Sequence, residues 1–376
     1  MYALRLLLFT ISSYCLFHPS HNLTTTPKVS FITGANGYLG REIVHTLLNS
    51  DDTSSSSSKS PIFCLVRTSR ISDEKNYWKS LHLPDDDKNR ISVVPYDMLD
   101  GGKSLSHVFK HAAYKHPDVS SWDVHHTASV FKPTADYDRT ALDNVRGTED
   151  LFRALASATT TTPPHVVFTS SMAAVRATNQ KPGYAPYYTS RDWNTVSQRG
   201  VNWGQSYQWS KAASEKRARE LSKECGIGMT SICPSFVFGP VRTSSSSSSY
   251  SISLVKEWME GKSPVQSRLC GDVRDVAAAH VAAGEKGGAG GKRYIVSSER
   301  RLGSAAAADV LRRVVGEIKG EKEGEKIKAD LDFDGGAIPI GEKEVECEGP
   351  LKEDLGVVCR SVEATLEDMA RGLLLG

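Results

Sequence analysis

The chain lacks the charge imbalance that is typical of nucleic-acid-binding proteins. It carries 46 Lys and Arg against 44 Asp and Glu, a formal net charge of +2 over 376 residues. This balance gives no reason to expect nucleic acid or a strongly acidic partner. With 39% hydrophobic and 24% charged residues, the chain can form the buried core of one large domain or of two modest ones.

No pair of cysteines is spaced as Cys-x-x-Cys. The seven cysteines are scattered along the chain, at positions 15, 64, 225, 233, 270, 347 and 359. Cysteine-rich metal sites and disulfide frameworks both use short, regular spacings. We therefore expect no metal site, and we expect cysteines that are reduced and packed in the core.

The apolar stretch at residues 6–17 is too short for a membrane span. It has twelve residues, whereas a spanning helix needs about 20. It follows a lone Arg5 and precedes a polar run at 20–26, which favours a targeting segment over residues 1–27 that is cleaved or disordered. An uncleaved anchor and a translation start placed too early are the alternatives. The expected location is the secretory pathway or an organelle if the segment is a signal, and the cytoplasm otherwise; membrane contact is expected only if the segment is retained.

From residue 28 onward, short apolar segments alternate with amphipathic ones. This pattern predicts an α/β fold, a doubly wound parallel sheet covered by helices on both faces. The predicted strands are residues 29–33, 62–67, 91–96, 123–128, 166–169 and 229–234. The predicted helices are 41–48, 105–114, 140–157 and 206–225. Serine runs at 54–58 and 244–249 cannot bury apolar surface, so both are predicted to be solvated loops.

Three glycines at three-residue intervals join the first predicted strand to the first predicted helix. Strand, glycine turn and helix in this order form the context of a dinucleotide-binding site. The turn lets the backbone approach a pyrophosphate, and the helix N-terminus offers N–H groups to an anion. A glycine-rich turn without a ligand is the alternative. The predicted cofactor contacts in this stretch are Gly34, Asn36, Gly37, Tyr38, Leu39 and Gly40.

The end of the second predicted strand indicates which cofactor is used. Enzymes that prefer NAD place a carboxylate there for the ribose hydroxyls, whereas NADP needs a cation for the additional phosphate. This chain has Arg67 at that point, with Arg70 three residues later and no carboxylate between them. NADP is therefore the predicted cofactor, and two ordinary surface arginines are the alternative.

Tyr207 and Lys211 stand four residues apart in a predicted helix. That spacing places both side chains on one helical face. A nearby positive charge favours the phenolate, so the lysine is expected to lower the tyrosine pKa from its ordinary value of about 10. Such a tyrosine can exchange a proton with a carbonyl or alcohol oxygen.

Three motifs together resemble the extended short-chain dehydrogenase/reductase family. They are Thr33-Gly34-x-x-Gly37-x-x-Gly40, Phe168-Thr169-Ser170-Ser171 and Tyr207-x-x-x-Lys211. Further matches stand at residues 97, 144–148, 234–240 and 272–277, so the resemblance runs from about residue 28 to near the C-terminus. It points to the branch that contains dihydroflavonol reductases, cinnamoyl-CoA reductases and related reductases. Such a protein would reduce a ketone or aldehyde to an alcohol with NADPH.

The resemblance also implies roles for single residues. Tyr207 would be the proton donor, Ser171 would hydrogen-bond the carbonyl oxygen, and Lys211 would also hold the nicotinamide ribose. Asn144 would take part in a proton relay or a scaffold, and Asp97 would meet the adenine edge. Ser170 is the rival of Ser171. The implied division of the chain is an NADP-binding Rossmann domain at 28–240 and a smaller, interleaved, mostly substrate-binding portion at 241–376.

Two other functions share these motifs. Nucleotide-sugar epimerases and dehydratases carry the same serine, tyrosine and lysine, but the segments at 172–176 and 233–240 favour the reductases. Arg176 stands where flavonoid reductases usually carry Asn or Asp, which argues against a flavonoid substrate. A non-catalytic NADP-binding regulator is the third possibility, and the intact Ser171, Tyr207 and Lys211 argue against it.

Overall fold

The computed structural model describes residues 28–50, 60–119, 121–131, 133–158, 162–242, 249–286, 291–332 and 337–375. The predicted targeting segment at 1–27 lies outside the described residues. So do the serine run at 54–58 and all of the run at 244–249 except Ser249.

The strands of the described residues form one large sheet and one small one. They are β1 (Lys28–Thr33), β2 (Ile62–Val66), β3 (Ile91–Pro95), β4 (Ser121–His126), β5 (His165–Thr169), β6 (Gly228–Pro234), β7 (Phe236–Phe238), β8 (Cys270–Asp272) and β9 (Arg293–Val296). Seven of them build a sheet in the order β3-β2-β1-β4-β5-β6-β9, with every neighbouring pair parallel. The order reverses between β1 and β4, which is where doubly wound folds bind their ligands. The predicted doubly wound fold is confirmed.

All six predicted strands are present, and each boundary lies within two residues of its prediction. The strands that the pattern did not reveal are β7, β8 and β9, of three, three and four residues. Segments this short do not complete a recognisable alternation of apolar and polar positions. They are held as strands by their neighbours, β9 by β6 and β7 by β8.

Helices lie on both faces of the large sheet, and further helices pack around a separate core. They are α1 (Tyr38–Ser50), α2 (Ile71–Ser80), α3 (Asp85–Arg90), α4 (Lys103–Lys115), α5 (Tyr137–Ala156), α6 (Met172–Val175), α7 (Trp203–Cys225), α8 (Tyr250–Met259), α9 (Val273–Glu285), α10 (Ser304–Lys319), α11 (Glu321–Gly324), α12 (Glu348–Pro350) and α13 (Val362–Leu375). The four predicted helices correspond to α1, α4, α5 and α7, but each begins two or three residues earlier than predicted. The reason in α5 and α7 is a polar first turn: Asp136 accepts a hydrogen bond from the backbone N–H of Arg139, and Asn202 from that of Gln205. Such caps stabilise a first turn that shows no apolar periodicity.

Successive side chains of β1 point to opposite faces of the sheet and pack in two different cores. Phe31 packs with Phe63, Phe109 and Trp122 at ring-centroid distances of 5.1 to 5.2 Å, on the face covered by α4, α5 and α7. Ile32 packs on the other face, against α1 and α9. Strands buried on both faces are expected in a parallel sheet between helical layers.

The region after residue 240 contributes to two parts of the structure. Its strand β9 extends the large sheet and its helix α9 covers one face of it. Its helices α8, α10 and α13 pack together with β7 and β8 around the buried Trp258 to form a separate core. The exact division into a cofactor portion and a substrate portion stays a prediction. Within the described residues, no helix combines the length and the apolar character needed to cross a bilayer.

Candidate active site

A cavity of about 780 Å³ opens at the carboxyl ends of the central strands. Its walls come from the turn after β1, from the ends of β2, β3 and β4, from the segment after β5 and from α7. Every predicted site residue lines it except Asn144. Side chains that stand almost 180 residues apart in the chain therefore meet in one cleft, because the carboxyl ends of parallel strands share one edge of the sheet.

The glycine turn has the shape that a dinucleotide requires. Gly34 has a left-handed backbone, with φ of +70°, which residues with a Cβ atom adopt only rarely. A Cβ atom at Gly40 would lie 2.8 Å from the Cα atom of Ala35, so the helix approaches the turn as closely as backbone permits. α1 begins at Tyr38 directly after the turn, and its positive dipole end therefore adjoins the cavity. These residues fit the pyrophosphate of NADP.

Tyr38 anchors this end of α1 to the other side of the cleft. Its hydroxyl donates to the carbonyl oxygen of Gly239 at 2.7 Å. Burial raises its pKa well above the ordinary value, and the nearby Asp272 and Glu42 raise it further. Tyr38 is therefore neutral at working pH and positions the turn through a hydrogen bond.

Two cations lie at the end of β2, where sequence analysis expects the 2′-phosphate. Arg67 and Arg70 are both exposed and both line the cavity. Arg70 forms a surface ion pair with Asp73, with the Nη1 to Oδ2 distance at 3.1 Å. Asp97 lines the same end, and its Oδ1 accepts the backbone N–H of Leu99 at 2.9 Å. Arg67 and Arg70 therefore lie where the 2′-phosphate is expected, and Asp97 lies at the same end of the cavity, where the adenine edge is expected.

Tyr207 and Ser171 meet at the opposite end of the cavity. Tyr207 lies in the second turn of α7, and Ser171 caps the short helix α6 by accepting the N–H of Ala173 at 3.1 Å. Burial raises the pKa of Tyr207, and a hydrogen bond with the Ser171 hydroxyl partly offsets that rise. The phenol is therefore protonated at neutral pH and in contact with a hydroxyl that can stabilise its anion.

Lys211 lies on the same face of α7, one turn after Tyr207. Its Nζ donates to the carbonyl oxygen of Thr169, at the end of β5, at 2.8 Å. Burial lowers the pKa of Lys211 to about 8, although Cys233 and Glu215 act to raise it. The expectation that Lys211 lowers the tyrosine pKa is wrong for this arrangement, because burial dominates at Tyr207 and the ammonium is directed at a backbone carbonyl.

The two candidate serines have different partners. Ser170 donates its hydroxyl to Oε2 of the buried Glu215 at 2.6 Å. The Ser171 hydroxyl instead faces Tyr207. A hydroxyl whose proton is already donated to a buried carboxylate is poorly placed to donate to a substrate, and this favours Ser171.

Asn144 does not line the cavity. It is buried in α5, and its Oδ1 accepts the backbone N–H of Val130 at 2.8 Å. Its Nδ2 donates to the carbonyl oxygen of Val130 at 3.3 Å and to Ser210 Oγ at 3.4 Å. Asn144 therefore fixes the segment after β4 against α7, which corresponds to the scaffold role of the two roles that the resemblance offers.

Sequence reasoning missed the aromatic side chains around Tyr207. The ring of Phe131 lies 4.5 Å from that of Tyr207, and the ring of Trp203 lies 6.2 Å from it. Tyr250 extends the group, with its ring 5.4 Å from that of Phe131. Trp203 stands four residues before Tyr207 and has a helical signal, but Phe131 and Tyr250 come from distant segments with no spacing to reveal them.

No group of three or more metal-ligating side chains occurs in the portion of the chain that the structure describes. The arrangement suits proton transfer beside a bound dinucleotide.

Comparisons with known proteins also find reductases among the similar proteins. The model of the male sterility protein family matches residues 32–271. The chain is 28% identical to the NADPH-dependent methylglyoxal reductase GRE2 of Saccharomyces cerevisiae over 366 residues, which cover 92% of each protein. It is 28% identical to cinnamoyl-CoA reductase CAD2 of Medicago truncatula over 276 residues, covering 72% of this chain and 76% of that protein. The crystal structure of yeast Gre2 with NADPH superimposes with a TM-score of 0.72 at 23% identity, covering 92% of this chain and 98% of the other.

Proposed function

This chain belongs to the male sterility protein family, in the dihydroflavonol reductase and cinnamoyl-CoA reductase-like branch of the extended short-chain dehydrogenases/reductases, and from that premise we propose how it acts. It is an NADPH-dependent oxidoreductase that acts on a small-molecule carbonyl compound. The reaction is the reduction of a ketone or aldehyde to an alcohol, with Tyr207 as the proton donor.

One observation carries this proposal. The glycine turn, Arg67, and the group of Ser171, Tyr207 and Lys211 line a single cavity, with the phosphate-binding features at one end and the hydroxyl groups at the other. A dinucleotide that enters at the glycine turn and extends along the strand ends would bring its nicotinamide to the hydroxyl groups.

The chain's own residues supply the acid chemistry. NADPH, when bound, supplies the hydride to the carbonyl carbon. The Tyr207 phenol gives its proton to the carbonyl oxygen, and the Ser171 hydroxyl stabilises the resulting phenolate and orients that oxygen. Phe131 and Trp203 pack beside the tyrosine ring and limit its contact with water. Lys211 places a positive charge at the base of the site.

The pH dependence should report on Lys211. Because burial lowers its pKa to about 8, the ammonium is present below that pH and is lost as the pH rises through it. We expect kcat/KM for carbonyl reduction to fall above a pH of about 8. Arginine stays charged throughout this range, so Lys211→Arg should have lower activity but no such decline. Steady-state rates between neutral and alkaline pH would check this, and an identical alkaline decline in both proteins would contradict it.

Arg67 should set the preference for NADPH over NADH. Removing a charge-assisted hydrogen bond costs roughly 1.5–3 kcal/mol. We therefore expect Arg67→Ala to weaken NADPH binding by about 10-fold to 100-fold and to leave NADH binding nearly unchanged. Isothermal titration of both cofactors measures the ratio. Arg139→Ala, which removes an exposed arginine of α5, is the control. Equal losses for the two cofactors would show that Arg67 does not contact the 2′-phosphate.

An NADPH-consumption screen tests the function itself. Aldehydes, ketones, flavanonols and acyl-CoA esters form the reductase panel, and UDP-sugars test the epimerase alternative. We expect consumption of NADPH with at least one carbonyl compound. Conversion of a UDP-sugar without net consumption of cofactor would replace the proposed function with epimerisation.

A further inference from the structure

Three arginines from distant segments line the same cavity as Tyr207. Arg176 follows α6, Arg268 precedes β8 and Arg301 follows β9. None of them belongs to the phosphate-binding end, where Arg67 and Arg70 lie. A reductase of small neutral carbonyl compounds has no need for guanidinium groups here.

One carboxylate links two of these arginines. Glu344 is buried, and its Oε2 pairs with Nε of Arg301 at 2.7 Å while its Oε1 lies 3.1 Å from Nη2 of Arg176. The Nε atom of Arg176 is also buried, and within the described residues it has no hydrogen-bond partner. A buried guanidinium nitrogen without a partner is costly, and an acceptor from a ligand would remove that cost.

The third arginine lies in an environment that opposes positive charge. The Arg268 guanidinium stacks over the ring of Phe236, with its central carbon 5.1 Å from the ring centroid. Burial lowers the pKa of Arg268, and Arg176 and Arg301 lower it further, against the opposing effects of Tyr250 and Asp330. Arg176 and Arg301 therefore act against the positive charge of Arg268, and a bound anion would relieve that repulsion.

A continuous row of rings connects these arginines to the proton donor. Phe131 contacts Tyr207 at 4.5 Å, Tyr250 lies 5.4 Å from Phe131, and Phe236 lies 6.3 Å from Tyr250, all between ring centroids. Arg268 stacks on Phe236 at the far end of the row. An elongated apolar molecule could lie along these rings with one end at Tyr207 and the other at the guanidiniums.

We propose that the substrate is an oxo acid, an aldehyde or ketone whose apolar body ends in a carboxylate bound by Arg176 and Arg268. The planar fork of a guanidinium matches the two oxygens of a carboxylate. The carbonyl group would then lie at Tyr207 and the apolar body against the aromatic row. This inference rests on the proposed carbonyl reductase function and specifies its substrate class.

Matched acids and esters test the proposal. The pairs are para-formylbenzoate with its methyl ester, and levulinate with methyl levulinate. We expect the wild-type protein to reduce at least one acid with a kcat/KM at least about 10-fold above that of its ester. Because Arg176→Gln loses a hydrogen bond to a charged group, we expect this variant to lower the acid-to-ester ratio of kcat/KM by about 10-fold or more. Arg146→Gln, at an exposed arginine of α5, should leave both the activity and the ratio unchanged. A ratio near one in the wild-type protein, or an unchanged ratio in Arg176→Gln, would overturn the proposal.

A binding measurement separates this inference from the proposed function. Benzoate and benzamide are titrated calorimetrically into the protein loaded with NADP⁺. If benzoate bound in an Arg176-dependent manner, benzamide did not bind, and no carbonyl compound were reduced, the anion site would be supported and the reductase function refuted. Reduction of esters as fast as acids would refute the anion site and support the reductase function. Arg268→Gln serves as a second variant if Arg176→Gln does not fold, and thermal unfolding of each variant checks its integrity.

Discussion

Tyr207→Phe should lower kcat for carbonyl reduction by about 10²-fold to 10⁴-fold, the range for loss of a positioned proton donor. The ring itself remains, so its contacts with Phe131 and Trp203 persist. Binding of NADPH should therefore change by no more than about twofold, since the phosphate-binding end of the cavity is untouched. Stopped-flow measurement of the hydride-transfer step, together with titration of NADPH, separates the two effects.

Tyr184→Phe provides the matched control. Tyr184 is 58% exposed and does not line the active-site cavity, so loss of its hydroxyl should have no effect on turnover. If Tyr207→Phe retained the activity of the Tyr184 variant, Tyr207 would not be the proton donor and another acid in the cavity would have to be sought.

Glu215→Ala should destabilise the protein by about 3–5 kcal/mol, because it removes one partner of a buried charge pair. Glu215 is fully buried in α7 and accepts hydrogen bonds from Arg293 at 2.7 and 3.1 Å, from Arg219 at 3.1 Å and from Ser170 at 2.6 Å. Without the carboxylate, the remaining described contacts of the buried Arg293 guanidinium include its bonds to the carbonyl oxygens of Ser190 and Asp192 and its position over the Trp193 ring, and none of these partners carries a negative charge. Urea unfolding measures the loss.

Glu220→Ala, on the same helix, is the control for this variant. Glu220 forms an exposed ion pair with Arg217 at 2.9 Å, and such surface pairs contribute about 0–1 kcal/mol. A similar, small loss in both variants would mean that the Glu215 network adds little to stability.

The Glu215 network should also make the protein sensitive to acid. Burial acts to raise the pKa of Glu215, but Arg293, Arg219 and the hydrogen bonds outweigh it, so the folded-state pKa is lowered. A group with a depressed folded pKa contributes stability that is complete above its unfolded pKa, about 4.3 for glutamate, and is lost as the pH falls through the folded value. The difference in unfolding free energy between wild type and Glu215→Gln should therefore shrink as the pH falls below the unfolded-state pKa of about 4.3. A difference that is constant with pH would contradict this assignment.

The site residues fall into three groups according to how they could be found. Gly34, Gly37 and Gly40, and likewise Tyr207 and Lys211, carry their signal in local spacing, because a turn and a helical face are local geometries. Arg67 carries its signal by position at the end of a strand. Phe131, Tyr250, Arg268 and Arg301 have no local pattern, and their meeting at the cavity depends on how distant segments pack.

The sequence by itself determined the doubly wound sheet, the position of the glycine turn and the pairing of Tyr207 with Lys211, since apolar period and residue spacing are properties of neighbouring positions. The tertiary structure alone decided that Lys211 is directed at the Thr169 carbonyl. It also decided that Ser170 donates to Glu215 while Ser171 faces Tyr207. The pairing of Arg176 and Arg301 with Glu344 likewise follows only from the tertiary structure. These outcomes depend on burial and on contacts across the fold, because the cost of desolvating a charged or polar group is set by whatever packs against it and not by its neighbours in the chain.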